Sequence, residues 1–154
     1  MKTQFFRFIL GLSAFSAVAG GAFAQNKPAG VPRLNRFIEL MEAQQPAFGV
    51  FSSIVSTRNG AAMAGSGLDF DIEDLEHSPF DLYRLEGYLL GMVNKAEIMK
   101  KGNLQPGVVP FIRVPAAGRE HLQFVIKQVL DLGPMGLLVP HVDTAEDARA
   151  MVQA

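Results

Sequence analysis

Cysteine is absent from the 154 residues, which removes disulfide staples, thiolate nucleophiles and cysteine-ligated zinc together. Stability therefore has to come from a buried core. A surplus of positive charge is missing too. The 14 Lys and Arg face 15 Asp and Glu, a net −1 at neutral pH, so the sequence lacks the basic footprint of a nucleic-acid surface. No internal repeat, heptad run or low-complexity segment interrupts the chain. Its length is typical of one domain, and its 49% apolar composition is enough to bury a core.

A strongly apolar run of membrane-spanning length is also lacking. The uncharged stretch from Phe8 to Ala24 follows Lys2 and Arg7, is diluted by Gly11, Gly20 and Gly21, and ends Ala22-Phe23-Ala24. A basic start, an apolar middle and a small-x-small end are the pattern of a secretory signal peptide rather than an anchor. The expected organisation is a signal peptide at 1–24, a linker at 25–33 marked by Pro28, Gly30 and Pro32, and one domain at 34–154. The protein is expected to be exported, periplasmic or secreted, without a stable membrane anchor. Cleavage after Ala24 leaves 12 basic against 15 acidic side chains, a net charge of about −3.

Beyond the linker the chain alternates helical and extended patterns. Leu34, Phe37, Ile38, Leu40 and Met41 fall on one helix face, and the break at Gln45-Pro46 precedes a strand, Phe48 to Phe51. A short helix over Arg58 to Ala64 closes at Gly65-Ser66-Gly67 and leads to a second strand, Phe70 to Leu75. Leu82 to Val93 reads as a helix and Lys100 to Gly107 as a polar connection. Val108 to Val114 is the third strand. Arg119 to Leu132 follows as a helix whose Leu122, Val125, Ile126, Val129 and Leu130 form a core stripe. Gly136 to Val139 is the fourth strand, and Thr144 with Asp147 has the spacing of a capping box opening a final helix to Gln153. This rhythm predicts parallel βα units. Four such units are half of an eight-stranded barrel, so the chain is expected to be a piece of a longer one. An unrelated doubly wound α/β domain would show the same four units.

Chemistry concentrates where the second strand stops, in the run Asp74-Leu75-Glu76-His77-Ser78-Pro79. In parallel α/β folds the loops leaving the carboxyl ends of strands hold the reacting groups. Imidazole titrates near neutrality, and a carboxylate beside it fixes its tautomer. Asp74 reaches His77 if the strand turns at Glu76. Arg113, near the end of the next strand, opens on the same side and offers a permanently charged fork to a carboxylate or an enolate oxygen. A structural pairing of Arg113 with Asp74 or Glu76 is the plain alternative. His141 follows the fourth strand, a place from which it could face the same mouth, although a structural role is expected; His121, at a helix start, is expected to be exposed. Asp71 and Glu73 interrupt a strand that a central parallel sheet would keep apolar, so they need partners or solvent.

Three stretches carry a resemblance: Gly67-Leu68-Asp69-Phe70 into Asp74-Leu75-Glu76-His77-Ser78-Pro79; Pro110-Phe111-Ile112-Arg113-Val114-Pro115; and Lys127 to Gly133 leading to Gly136 through Ala148. Together they resemble the metal-dependent 2-oxo acid aldolases typified by 4-hydroxy-2-oxoheptanedioate aldolase, grouped with the citrate lyase β-subunit, from about Phe48 to the end. The resemblance implies a TIM barrel in which a divalent ion, Mg, Mn or Co, chelates pyruvate and favours its enolate. A 4-hydroxy-2-oxo acid is then cleaved reversibly to pyruvate and an aldehyde. It implies that His77 assists proton transfer, Asp74 orients it and Arg113 stabilises the enolate oxygen. The metal-binding Glu and Asp it implies lie on later strands, beyond residue 154, with Glu76 at most near an outer-shell water. It also implies a homo-oligomer for the full-length protein. Alone, four units are expected to be inactive and to expose strand edges. The alternatives are a lyase of CoA thioesters from the citrate and malyl-CoA branch, and a noncatalytic barrel that captures a small carboxylate through Arg113.

Overall fold

The computed structural model describes residues 33–116 and 122–154. The expected signal peptide, the linker as far as residue 32, the start of the helix expected at Arg119, and His121 lie outside the described residues. Strands β1 (Gly49–Ser52), β2 (Phe70–Asp74), β3 (Val109–Arg113) and β4 (Gly136–Leu138) form one parallel sheet in the order β1-β2-β3-β4. Helices α1 (Arg36–Glu42), α2 (Thr57–Ala64), α3 (Leu82–Gly91), α4 (Lys95–Lys101), α5 (Gln123–Asp131) and α6 (Ala145–Val152) supply the connections. These are four consecutive βα units, as the alternation implies, and their sequential strand order is that of a barrel rather than of a doubly wound sheet. The expected capping box is present: the Asp147 N–H donates to Thr144 Oγ1 at 3.1 Å and the Thr144 N–H to Asp147 Oδ2 at 2.9 Å.

Helix α4 corrects the sequence reading, which placed no element between Val93 and the polar connection opening at Lys100. It buries no side chain, so no apolar stripe announces it. Its ends hold it instead. Asn94 accepts the Glu97 N–H at 3.0 Å, and Gly102 closes the last turn in the left-handed conformation, φ 70°, where a side chain is disfavoured.

The sheet has two differently packed faces. One lies against α3 and α5 and buries Leu85, Tyr88, Leu89, Ile112 and Val129. The other carries a triangle of Phe37 from α1, Phe70 and Phe111, with ring centroids 5.1–6.0 Å apart and steep interplanar angles, the edge-to-face geometry that aromatic quadrupoles favour. Gly49 and Gly136 flank these rings, and a Cβ at either would lie 2.4 or 2.1 Å from a phenylalanine ring atom.

Helices α2 and α3 meet backbone to backbone. A Cβ at Gly60 would stand 2.2 Å from the Tyr88 carbonyl oxygen, and one at Gly91 2.3 Å from that of Thr57. Neither carbonyl can yield without breaking its helix. Gly60→Ala is therefore expected to destabilise the fold by about 2 kcal/mol despite alanine's better helix propensity. Chemical denaturation checks this, and an unchanged midpoint would mean that the helices separate freely.

Asp71 and Glu73 face the helix side, and both are fully buried. The Tyr88 hydroxyl donates to Asp71 Oδ2, while among the described residues Asp71 Oδ1 and both Glu73 oxygens have no partner within hydrogen-bond geometry, the nearby Ser52 hydroxyl on β1 offsetting part of the burial of Glu73. The sequence called for partners or solvent at these positions; the structure gives Asp71 the Tyr88 hydroxyl and takes both side chains away from the surface. Burial accordingly pushes both carboxyls up, Glu73 to about 7, with the charges of Asp71 and Asp74 adding to its shift. Neutralisation is the usual response of a buried acid without a cation.

Candidate active site

Strand β2 ends at Asp74 because its side chain takes over the backbone bonds of the next residues. Asp74 Oδ1 accepts the N–H groups of Glu76 at 2.9 Å and His77 at 3.3 Å, a local turn typical of aspartate, and the Ser78 hydroxyl donates to the Asp74 carbonyl. The turn carries His77 back over Asp74, leaving Nδ1 3.2 Å from Oδ2. The sequence reading placed the turn at Glu76; it begins one residue earlier.

Register then brings in the third residue. Asp74 pairs with Arg113 across the parallel ladder. Arg113 donates to both oxygens, Nε to Oδ1 at 2.8 Å and Nη2 to Oδ2 at 2.5 Å, a bidentate fork. Its Nε is also 3.2 Å from Glu76 Oε2, and its guanidinium lies 5.1 Å from the centroid of the Phe51 ring on β1. Asp74, His77 and Arg113 thus converge at the carboxyl ends of β2 and β3. The Arg113 fork, joined by the Glu76 and His77 N–H groups, holds the Asp74 carboxyl well below the usual carboxylate range. Asp74 is a fixed anion.

His77 Nδ1 has neighbours with opposite demands. Asp74 can only accept, and Arg113, whose Nη2 is 2.5 Å away, can only donate. With a proton on Nδ1 the ring donates to Asp74 and presents its other nitrogen as a base; with Nδ1 bare it accepts from Arg113 instead. The His77 side chain is 67% exposed, against 12% for Asp74, so the imidazole meets the open side from a buried anionic support.

Two residues that the sequence reading did not place in the site belong to this cluster. Glu76 is 12% exposed and stands between three bases: Arg113, His77 Nδ1 at 3.7 Å and His141 Nε2 at 3.7 Å. His141, which the sequence reading took for structural, follows β4 with φ 54°, a left-handed conformation that costs a side-chain-bearing residue about 1–2 kcal/mol. Its signal was its place after a strand, the same topological position as His77.

Ligand atoms of Asp74, Glu76 and His77 lie within 4.8 Å of one another, which is close enough to ask whether they hold a divalent ion. They do not fit one. The Arg113 guanidinium already spans both carboxylates, and a cation there would have to displace it or sit against it.

Residues 48–154 match the family model described as HpcH/HpaI aldolase/citrate lyase. The chain belongs to this family. Among HpcH/HpaI relatives, the hydroxypyruvate/pyruvate aldolase of Deinococcus radiodurans is 34% identical over 123 residues, covering 80% of this chain and 39% of that protein. The enzyme of the same name from Roseobacter denitrificans is 31% identical over 121 residues, covering 79% and 41%. A family structure from Burkholderia cenocepacia superposes with a TM-score of 0.61 at 28% identity, over 77% of this chain and 42% of that one. The chain therefore spans about two-fifths of the length of the relatives it matches.

Proposed function

We propose that the whole protein is an aldolase that cleaves a 4-hydroxy-2-oxo acid reversibly to pyruvate and an aldehyde. The observation that carries this reading is the Asp74–His77 contact beside Arg113 at the strand ends. In the cleavage direction His77 takes the proton of the 4-hydroxyl, the bond between the third and fourth carbons breaks, and the aldehyde leaves. The resulting enolate, its oxygen facing Arg113, regains a proton at its methylene carbon to give pyruvate. Asp74 keeps the His77 proton on Nδ1. A divalent cation (Mg, Mn or Co) belongs to the reading, held by carboxylates other than Asp74 and Glu76, and none of these steps depends on its geometry. The names of the relatives, hydroxypyruvate/pyruvate aldolase and 4-hydroxy-2-oxo-heptane-1,7-dioate aldolase among them, support the same class, and a homo-oligomer is part of the proposal.

The test is deuterium exchange into the methyl group of pyruvate by the whole protein in deuterium oxide with added manganese. Exchange is expected. Metal-independent binding of pyruvate or oxalate without exchange would instead favour a carboxylate-binding protein acting through Arg113.

Export is part of the proposal, supported by the basic, apolar and Ala22-Phe23-Ala24 segments; among the described residues no helix is long and apolar enough to cross a membrane. Mass spectrometry of protein expressed with its native N-terminus is expected to find a chain beginning at Gln25. A chain that retains Phe8 to Ala24 would refute cleavage.

A further inference from the structure

Arg113 is met by an aromatic ring from two strands away. Its guanidinium carbon stands 5.1 Å from the centroid of the Phe51 ring, inside the roughly 6 Å over which a cation is drawn to the face of an aromatic ring. Register explains how a residue of β1 meets one of β3. Phe51 is level with Ile72 of β2, and Ile72 with Phe111 of β3, so Phe51 and Arg113 project from the same face of the sheet, with Arg113 one step nearer the carboxyl ends. The arginine leans over β2, across Asp74, to reach the ring.

The polar contacts with Asp74, Glu76 and His77 run along one edge of the guanidinium, through Nε and Nη2. Bonds along one edge fix the direction of the fork within its plane and resist tilting about that edge much less. Nη1, on the opposite edge, swings with any such tilt. The Phe51 ring opposes it, because the attraction of the ring face fades as the cation leaves that face. An arginine that meets a developing enolate oxygen gains from a fixed tilt, since a donor already aimed costs no reorganisation during the reaction.

We propose that Phe51 is a positioning residue: the face of its ring sets the tilt of the Arg113 guanidinium, and through it the aim of Nη1 at the enolate oxygen. The inference rests on the aldolase reading of the same site. Phe51 acts through Arg113 and needs no contact of its own with the reacting atoms.

The experiment follows methyl deuterium exchange of pyruvate by the whole protein while the ring is altered at nearly constant shape. Phenylalanines carrying one, two and three ring fluorines, incorporated at position 51, draw electron density from the ring face and leave its apolar bulk almost unchanged. The kcat for exchange is expected to fall stepwise with each fluorine, with KM for pyruvate changed less, because the enolate charge develops after binding. Phe51→Leu, which keeps an apolar side chain and removes the ring, is expected to lower kcat about fivefold or more, the scale of one cation–π contact, while Phe51→Tyr retains most of it. A kcat indifferent to fluorination would overturn the proposal even if Phe51→Leu were slow or failed to fold, since the ring would then serve by packing alone. A change confined to KM would overturn it as well, by assigning the ring to pyruvate binding. Absence of exchange in the unsubstituted protein would instead remove the aldolase reading itself, and this inference with it.

Discussion

His77→Ala is expected to slow methyl deuterium exchange of pyruvate by roughly a hundred- to ten-thousand-fold, the range contributed by a positioned general acid or base. The imidazole is the exposed member of the cluster, and the anion beneath it is fixed, because Asp74 receives two backbone N–H groups and the Arg113 fork. Without the ring, Asp74 has nothing to orient and cannot replace it as a base at neutral pH, its carboxyl being held far down by Arg113. Exchange that persists in His77→Ala would remove the role. Arg113→Lys is expected to fail as well despite keeping the charge. A single ammonium cannot reproduce the two-pronged contact with Asp74 while also reaching Glu76. Full exchange in Arg113→Lys would show that charge alone suffices.

Glu73 is expected to make the fold less stable as the pH rises from about 4.5 to 7. Its carboxyl is fully buried with no cation beside it among the described residues, and burial, reinforced by the charges of Asp71 and Asp74 and only partly offset by the Ser52 hydroxyl, raises it to about 7. Within that window the folded chain binds more protons than the unfolded one, so each increment of pH favours unfolding, to a total of about 3 kcal/mol. Above the folded value the loss is complete and the slope vanishes. Asp71 is shifted in the same direction and adds to the trend. Asp74 acts oppositely: its lowered carboxyl contributes stability at neutral pH that disappears only below the ordinary carboxylate range. Urea denaturation from pH 4.5 to 8 separates these contributions. Glu73→Gln is expected to flatten most of the slope, and Glu73→Leu, which removes the buried polar group, to exceed the native protein in stability at pH 8. Stability that rises through this window in the unsubstituted chain would mean that Glu73 is ionised and paired.

How far the sequence reached depended on whether a feature left a local trace. Strand β2 and the cluster at its end were legible because the apolar positions Phe70, Ile72 and Leu75 give way to Glu76-His77-Ser78-Pro79 and a carboxylate lies three positions before a histidine. The capping box at Thr144 was legible for the same reason. Helix α4 left no apolar stripe, because it buries no side chain, and its only local traces are its ends, Asn94 and Gly102. Phe51 beneath Arg113, and His141 beside Glu76, come from strands other than the one carrying the His77 loop, and no spacing along the chain relates them.

The sequence by itself determined the parallel βα order and the family, and it singled out Asp74, His77 and Arg113 as the residues proposed for the site, because each rests on local periodicity or on a short run of residue types. Tertiary structure decided the rest. Parallel register set Asp74 opposite Arg113, which turned two separate residues into a bidentate pair and closed that place to a metal ion. The same pleat turned Asp71 and Glu73 away from the site into the helix-facing core, where loss of water, not sequence position, makes their protonation a property of the fold.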